Sequence, residues 1–104
     1  MQNPISTALG TVQNIEDLVR VHTQHGVVTA DSDAHVVEPN AMLALNVAEL
    51  VPIYARRCGT TNDEIASVLS DLVSDLRHLA DAIGIEWDEL DERAADHHAA
   101  EVAR

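Results

Sequence analysis

The sequence predicts an all-α protein, a helical bundle of three or four helices. Apolar residues make up 46% of the 104 residues, and they recur at helical spacing in several segments. Aromatic side chains are scarce, because the chain has one Trp, one Tyr and no Phe. The core must therefore be built from Leu, Val, Ile and Ala, a mixture typical of helical bundles. No segment shows the alternation of a half-buried strand beyond two short Val-Val pairs.

The length of the chain suits one domain, residues 1–104. A small bundle with few large side chains often gains stability by oligomerising. We therefore expect a homodimer or a homotetramer.

The first predicted helix lies in the stretch TVQNIEDLVRVHTQHG, where Val12, Ile15, Leu18 and Val19 have helical spacing and Gly26 is a plausible stop. The next segment, 26–39, is polar in the middle and is predicted to be a long loop. Loops of that length inside compact domains are often functional.

The second predicted helix follows Pro39, with Asn40 as its N-cap, and ends at Gly59. Its apolar face is predicted to consist of Met42, Leu43, Val47, Leu50 and Tyr54. Pro52 is unusual within this helix, because proline removes one backbone hydrogen bond and crowds the preceding turn.

The third predicted helix runs from about residue 62 to 83, between a capping box at Thr61-x-x-Glu64 and a stop at Gly84. The last segment, 86–104, is predicted to be a helix with a thin apolar face. The stripe of the third helix consists of Ile65, Val68, Leu69, Leu72, Leu76, Leu79 and Ile83.

The formal charge of −12, from 18 acidic and 6 basic residues, argues against binding to nucleic acids or anionic membranes. An anionic substrate would need a divalent cation to neutralise the local field. No apolar run is long enough to span a membrane. The one cysteine, Cys58, suits a reducing compartment, and the first residues lack the pattern of a signal peptide. A cytoplasmic location is the expectation.

Five oxygen-bearing side chains are candidate metal ligands. Glu64, Asp71 and Asp75 fall on one strip at the edge of the third helix's apolar stripe. On the second helix, Asn46 and Glu49 share a similar edge. If the two helices pack antiparallel, the strips face each other and supply the oxygen ligands that a hard divalent cation needs. The alternative is that these acids only face water beside the core.

Three stretches of the chain resemble the MazG-like all-α nucleotide pyrophosphohydrolases, and they occur in the same order as in that family. They are VRVHTQHG (19–26), LALNVAEL (43–50) and LADAIGIEWDEL (79–90). The resemblance implies an oligomeric helical bundle that uses Mg²⁺ to hydrolyse a (deoxy)nucleoside triphosphate to the monophosphate and pyrophosphate. It places Glu49 and Asp71 at metal-binding positions of the family.

The chain departs from the family pattern at three acidic positions. Leu45 and Asn46 replace the two leading glutamates of the second helix, and Val68 replaces the glutamate that precedes Asp71 by three residues. Asn46, Glu64 or Asp75 would then have to complete the metal shell. The alternative function is a catalytically inactive MazG-like bundle that serves as a nucleotide-binding or protein-interaction module.

The histidines offer a second possible metal site. His22 and His25 end the first helix, and Asp31, Asp33 and His35 follow in the loop, a mixed set of N and O ligands suited to a transition metal. The simpler interpretation is that histidine near a helix C-terminus is favourable by itself. The adjacent pair His97 and His98 points to different sides of a helix, and Cys58 has no base beside it in the sequence.

Overall fold

A computed structural model describes residues 4–25 and 38–103, and these residues form an all-α protein, as predicted. The described helices are α1 (Pro4–Leu9), α2 (Ile15–His25), α3 (Pro39–Cys58), α4 (Ile65–Ile83) and α5 (Trp87–Val102). Within this part of the chain the nearest approach to a sheet is an isolated bridge between Asn14 and Glu64.

The chain divides into two compact units. Unit 1 covers Met1–Leu69 and unit 2 covers Ser70–Arg104. Helix α4 contributes its first residues to unit 1 and the others to unit 2. The predicted single domain and the predicted oligomer both stay predictions.

Helix α1 was not predicted, because six residues are too few to show a helical period. Pro4 is its first residue, where the missing N–H of proline costs nothing, and Ile5 is buried. Helix α2 begins at Ile15, and Asn14 caps it, since the Asp17 N–H donates to Asn14 Oδ1 at 2.9 Å.

The predicted N-cap of α3 was wrong. The helix begins at Pro39, with Glu38 and not Asn40 as its N-cap residue. The reason is that proline is favoured at the first helical position, where its fixed φ already matches the helix. The helix continues through Pro52, which is buried.

The predicted capping box at the start of α4 was also wrong. Thr61 lies in a turn, and the helix begins at Ile65, directly after Glu64. A contact from another part of the chain sets this start, because the Ile65 N–H donates to the Gln13 carbonyl at 2.9 Å.

The predicted glycine stops of α3 and α4 are confirmed. Gly59 and Gly84 have φ of 73° and 79°, the left-handed conformation that glycine adopts without strain. After each helix, a backbone N–H bonds back to the last turn, from Thr60 to the Ala55 carbonyl and from Ile85 to the Ala80 carbonyl, both at 2.9 Å. These are Schellman endings.

The core of unit 1 forms where α2 packs on α3 and α1 contacts both. The face of α3 that was predicted to be apolar is not the buried one, because Leu43, Val47 and Leu50 are exposed. Another side of the helix, which carries Leu45 and Val51 together with alanines, is buried instead. Among the described residues of unit 1, the buried apolar residues are Ile5, Ile15, Leu18, Val21, Ala41, Leu45, Ala48, Val51, Pro52, Ala55 and Val68.

Unit 2 contains the rest of α4, the turn at Gly84 and α5, and α5 confirms the helix predicted for the last segment. The Arg77 guanidinium lies over the Trp87 ring, 5.4 Å from its centroid, so one cation–π contact joins the two helices. Ala80 is the one buried apolar residue among the described residues of this unit.

Candidate functional site

The predicted metal ligands of unit 1 are all exposed. Asn46 and Glu49 lie one turn apart on the solvent side of α3. Glu64 directly precedes α4, and its backbone carbonyl accepts the Ser67 and Val68 N–H groups of the first turn at 3.0 and 3.1 Å. These side chains are therefore accessible to solvent and to ions.

The predicted metal ligands of unit 2, Asp71 and Asp75, are exposed one turn apart on α4. Among residues 4–25 and 38–103, no three or more His, Cys, Asp or Glu side chains form a group able to hold a metal ion. Mg²⁺ binding by the five predicted ligands stays a prediction.

The alternative histidine site is described only in part. His22 and His25 lie in the last turn of α2, as predicted. Asp31, Asp33 and His35 lie outside the described residues, as does most of the predicted loop 26–39.

Unit 1 has a polar cleft of about 520 Å³ that involves one of the predicted ligands. The cleft lies where the segment before α2 meets the start of α4, and the Ile65–Gln13 hydrogen bond holds its walls together. Five of its seven lining residues carry a carboxylate or amide side chain, so it offers hydrogen-bonding groups and negative charge to a ligand. Its polar lining residues are Gln13, Asn14, Asn62, Asp63 and Glu64.

A second concavity of unit 1 is an open apolar groove of about 380 Å³. Its lining is aliphatic throughout, so the groove suits apolar side chains and offers nothing to bind a phosphate. Helices α1, α2, α3 and the start of α4 all contribute to it. The lining residues are Leu9, Leu18, Ala44, Val47, Ala48, Val51, Ile65 and Leu69.

Many of the largest aliphatic side chains are on the surface. Leu50 is 61% exposed, Leu79 is 55% exposed and Ile83 is 62% exposed, and each would normally be expected in a core. Where such side chains lie next to one another, a contiguous apolar patch marks an interaction surface in native proteins. Among the described residues, the large aliphatic side chains exposed by at least two fifths are Val19, Leu43, Val47, Leu50, Ile53 and Leu69 in unit 1 and Val73, Leu76, Leu79, Ile83, Ile85 and Val102 in unit 2.

Glu38 is a buried carboxylate that the sequence did not reveal as important. Its Oε2 accepts the Ile5 N–H at 3.1 Å and its Oε1 accepts the Ser6 N–H at 3.0 Å. Burial raises the pKa of this carboxyl, but the hydrogen bonds from Ser6 and Ile5 and the nearby His25 outweigh burial, so the pKa is lowered overall.

The same residue therefore organises two helices. The Glu38 side chain satisfies the N-terminal N–H groups of α1, and its backbone carbonyl accepts the Met42 N–H in the first turn of α3. The Glu-Pro pair before a helix is the only local signal, because the partners of the side chain lie more than 30 residues earlier.

The described helices include none that is long and apolar enough to cross a membrane. No family model, curated protein or solved structure matches the chain.

Proposed function

We propose that the chain is a helical protein-interaction module that binds amphipathic helical segments. The observation that carries this proposal is the exposure of large aliphatic side chains on α3 and α4. The proposal corresponds to the non-catalytic alternative that the sequence left open.

The distribution of side chains on α3 supports the proposal in energetic terms. The side of α3 that packs inside unit 1 presents Leu45 and Val51 together with three alanines, while Leu43 and Leu50, although as large as Leu45, face outwards. Fully burying a leucine side chain contributes about 1.5–3 kcal/mol. A partner that covers the outward leucines would gain this stabilisation, and an amphipathic helix covers such a surface with residues at i, i+3, i+4 and i+7.

A displayed library of amphipathic helical peptides tests the proposal directly. We expect selection on the folded protein to enrich apolar residues at helical spacing. We also expect the enriched peptides to bind by isothermal titration calorimetry with a negative heat-capacity change. Scrambled peptides of the same composition are the control. If the scrambled peptides bind as tightly as the selected ones, the protein does not recognise an amphipathic helix and the proposal fails.

A second candidate function is the Mg²⁺-dependent pyrophosphohydrolysis that the MazG-like resemblance implies. The exposure of the Glu49 and Asp71 side chains supports it, because a metal–nucleotide complex needs ligands that are open to solvent. Bound Mg²⁺ would neutralise the phosphates and position the attacking water, while the carboxylates would hold the ion.

For this candidate, we expect pyrophosphate release from a (deoxy)nucleoside triphosphate with Mg²⁺ or Mn²⁺, and its loss in Asp71→Asn. The reason is that the amide keeps the size of the side chain but removes the anionic oxygen that a hard cation prefers. Asp96→Asn, at an exposed position of α5, is the matched control and should retain activity. Turnover that is unchanged in Asp71→Asn, or absent from the pure wild type, contradicts this candidate.

A further inference from the structure

The aliphatic face of α4 in unit 2 is free of charged residues, although the unit around it is strongly acidic. Leu72, Leu76, Leu79 and Ile83 follow one another at alternating spacings of four and three residues, with Val73 beside them. At about 100° per residue they occupy an arc about 120° wide. Val73, Leu76, Leu79 and Ile83 are between 44% and 62% exposed.

Negative charge borders one edge of this face directly and lies near the other. At one edge Asp75 lies about 40° beyond Leu79, and Asp71 lies further round; at the other edge Arg77 lies about 40° beyond Val73, and Asp81 follows it. Arg77 is the basic residue of this stretch, and its guanidinium is placed over the Trp87 ring. Residues 70–104 contain ten Asp and Glu and three Arg, which gives a formal charge of −7.

We propose that this face of α4 binds an amphipathic helix of another protein whose apolar stripe is flanked by Lys or Arg. The inference rests on the proposed function and names its surface and its ligand. Leucine and isoleucine side chains at this spacing pack against a partner helix by inserting between the side chains of that helix. The acidic border then attracts basic flanks and repels acidic ones, which steers association and selects the partner.

A second copy of the chain fits the face less well. Its apolar stripe would match, but it would bring another unit of formal charge −7 against the first, and like charges across an interface are unfavourable. The two alternatives have opposite salt dependence. Salt screens attraction to a basic helix and weakens that complex, whereas it screens repulsion and strengthens a homodimer.

The test uses two designed peptides with the same three-heptad leucine stripe, one flanked by Lys and the other by Glu. We expect the Lys-flanked peptide to bind the full-length protein more tightly. We also expect its affinity to fall by about tenfold between about 50 mM and about 500 mM NaCl. Leu79→Gln should weaken binding by about tenfold or more, because it places a polar group in the centre of the contact.

Val19→Gln is the control, because Val19 is an exposed aliphatic residue of α2, outside α3 and α4, and should leave binding unchanged. Leu76→Gln, on the same face as Leu79, is a second variant in case Leu79→Gln loses its helical circular dichroism.

Four outcomes would contradict the inference. If binding is lost in Leu50→Gln, on α3, but kept in Leu79→Gln, the binding surface is not this face of α4, although the interaction function is supported. If the two peptides bind equally, or if a Leu79-dependent homodimer tightens with salt, the partner is not a helix with basic flanks. If neither peptide binds, the inference fails, and the library selection decides the proposed function independently.

Discussion

Glu38→Gln is expected to lower the free energy of unfolding by about 1–3 kcal/mol at neutral pH. The carboxylate accepts two backbone N–H groups, from Ile5 and Ser6, through its two oxygens. Glutamine has the same size but offers one oxygen, so its NH₂ group would face one of these N–H donors. The expected result is a weakened cap and a loosened α1, measured by chemical denaturation.

The pH dependence of stability gives an independent measurement of the same contact. The pKa of Glu38 is lowered from its ordinary value of 4.5 in the folded protein, so the unfolded chain takes up the proton first as the pH falls. Its contribution to stability is therefore fully present above about pH 4.5 and is lost as the pH falls through the lower folded value.

Glu49→Gln is the control for both measurements, because Glu49 is an exposed glutamate of the same unit. It should change neither the stability at neutral pH nor the acid transition. A Glu38→Gln variant with the stability and acid response of the wild type would mean that the contact between Glu38 and α1 contributes nothing.

Local signals in the sequence predicted the helical class and the ends of two helices. Gly59 and Gly84 follow apolar runs of helical period, and a left-handed glycine is the commonest way to end such a run. Each signal lies within a few residues of the feature that it predicts. No distant contact was needed for those parts of the fold.

The two errors in helix starts both involve contacts with residues that are distant in sequence. Asn40 is a good N-cap residue, but Pro39 already begins the helix and Glu38 is held by α1. The start of α4 is likewise set by Gln13, about 50 residues earlier. A pattern read within one segment contains no information about such partners.

The buried face of α3 was predicted wrongly for a different reason. This helix is apolar on more than one side, so helical spacing alone fits both the set with Leu43, Val47 and Leu50 and the set with Leu45, Ala48 and Val51. Residue size favoured the first set as the core. The packing of α2 on α3 instead buries the set with Leu45, Ala48 and Val51 and leaves Leu43, Val47 and Leu50 outside.

The predicted metal ligands illustrate what a helical wheel can and cannot establish. It placed Asp71 and Asp75 correctly on one exposed edge of α4, because that relation depends only on the helical period. Whether acids of different helices converge depends on packing, which the wheel does not contain. Binding of Mg²⁺ by Glu49 and Asp71 therefore has to be decided by the turnover experiment.

Val68→Ala and Leu69→Ala test the orientation of α4 in unit 1. We expect Val68→Ala, which removes fewer atoms, to lower the free energy of unfolding more than Leu69→Ala does. Val68 is completely buried, whereas Leu69 is 40% exposed and lines the apolar groove. Removing two buried carbons from Val68 costs about 1.6 kcal/mol in transfer free energy, and the cavity adds to it. The higher helix propensity of alanine offsets about 0.5 kcal/mol, so a net loss of about 2 kcal/mol is expected.

Leu69→Ala removes three carbons, yet a loss of about 1 kcal/mol or less is expected, because much of the side chain already contacts water and no closed cavity forms. Chemical denaturation of both variants with an unchanged m-value would give the comparison. The sequence alone would rank the two in the opposite order, since both residues belong to the predicted stripe and leucine is the larger. A greater loss in Leu69→Ala than in Val68→Ala would mean that α4 buries Leu69 instead. The apolar groove of unit 1 would then be closed by the protein's own packing and unavailable to a partner.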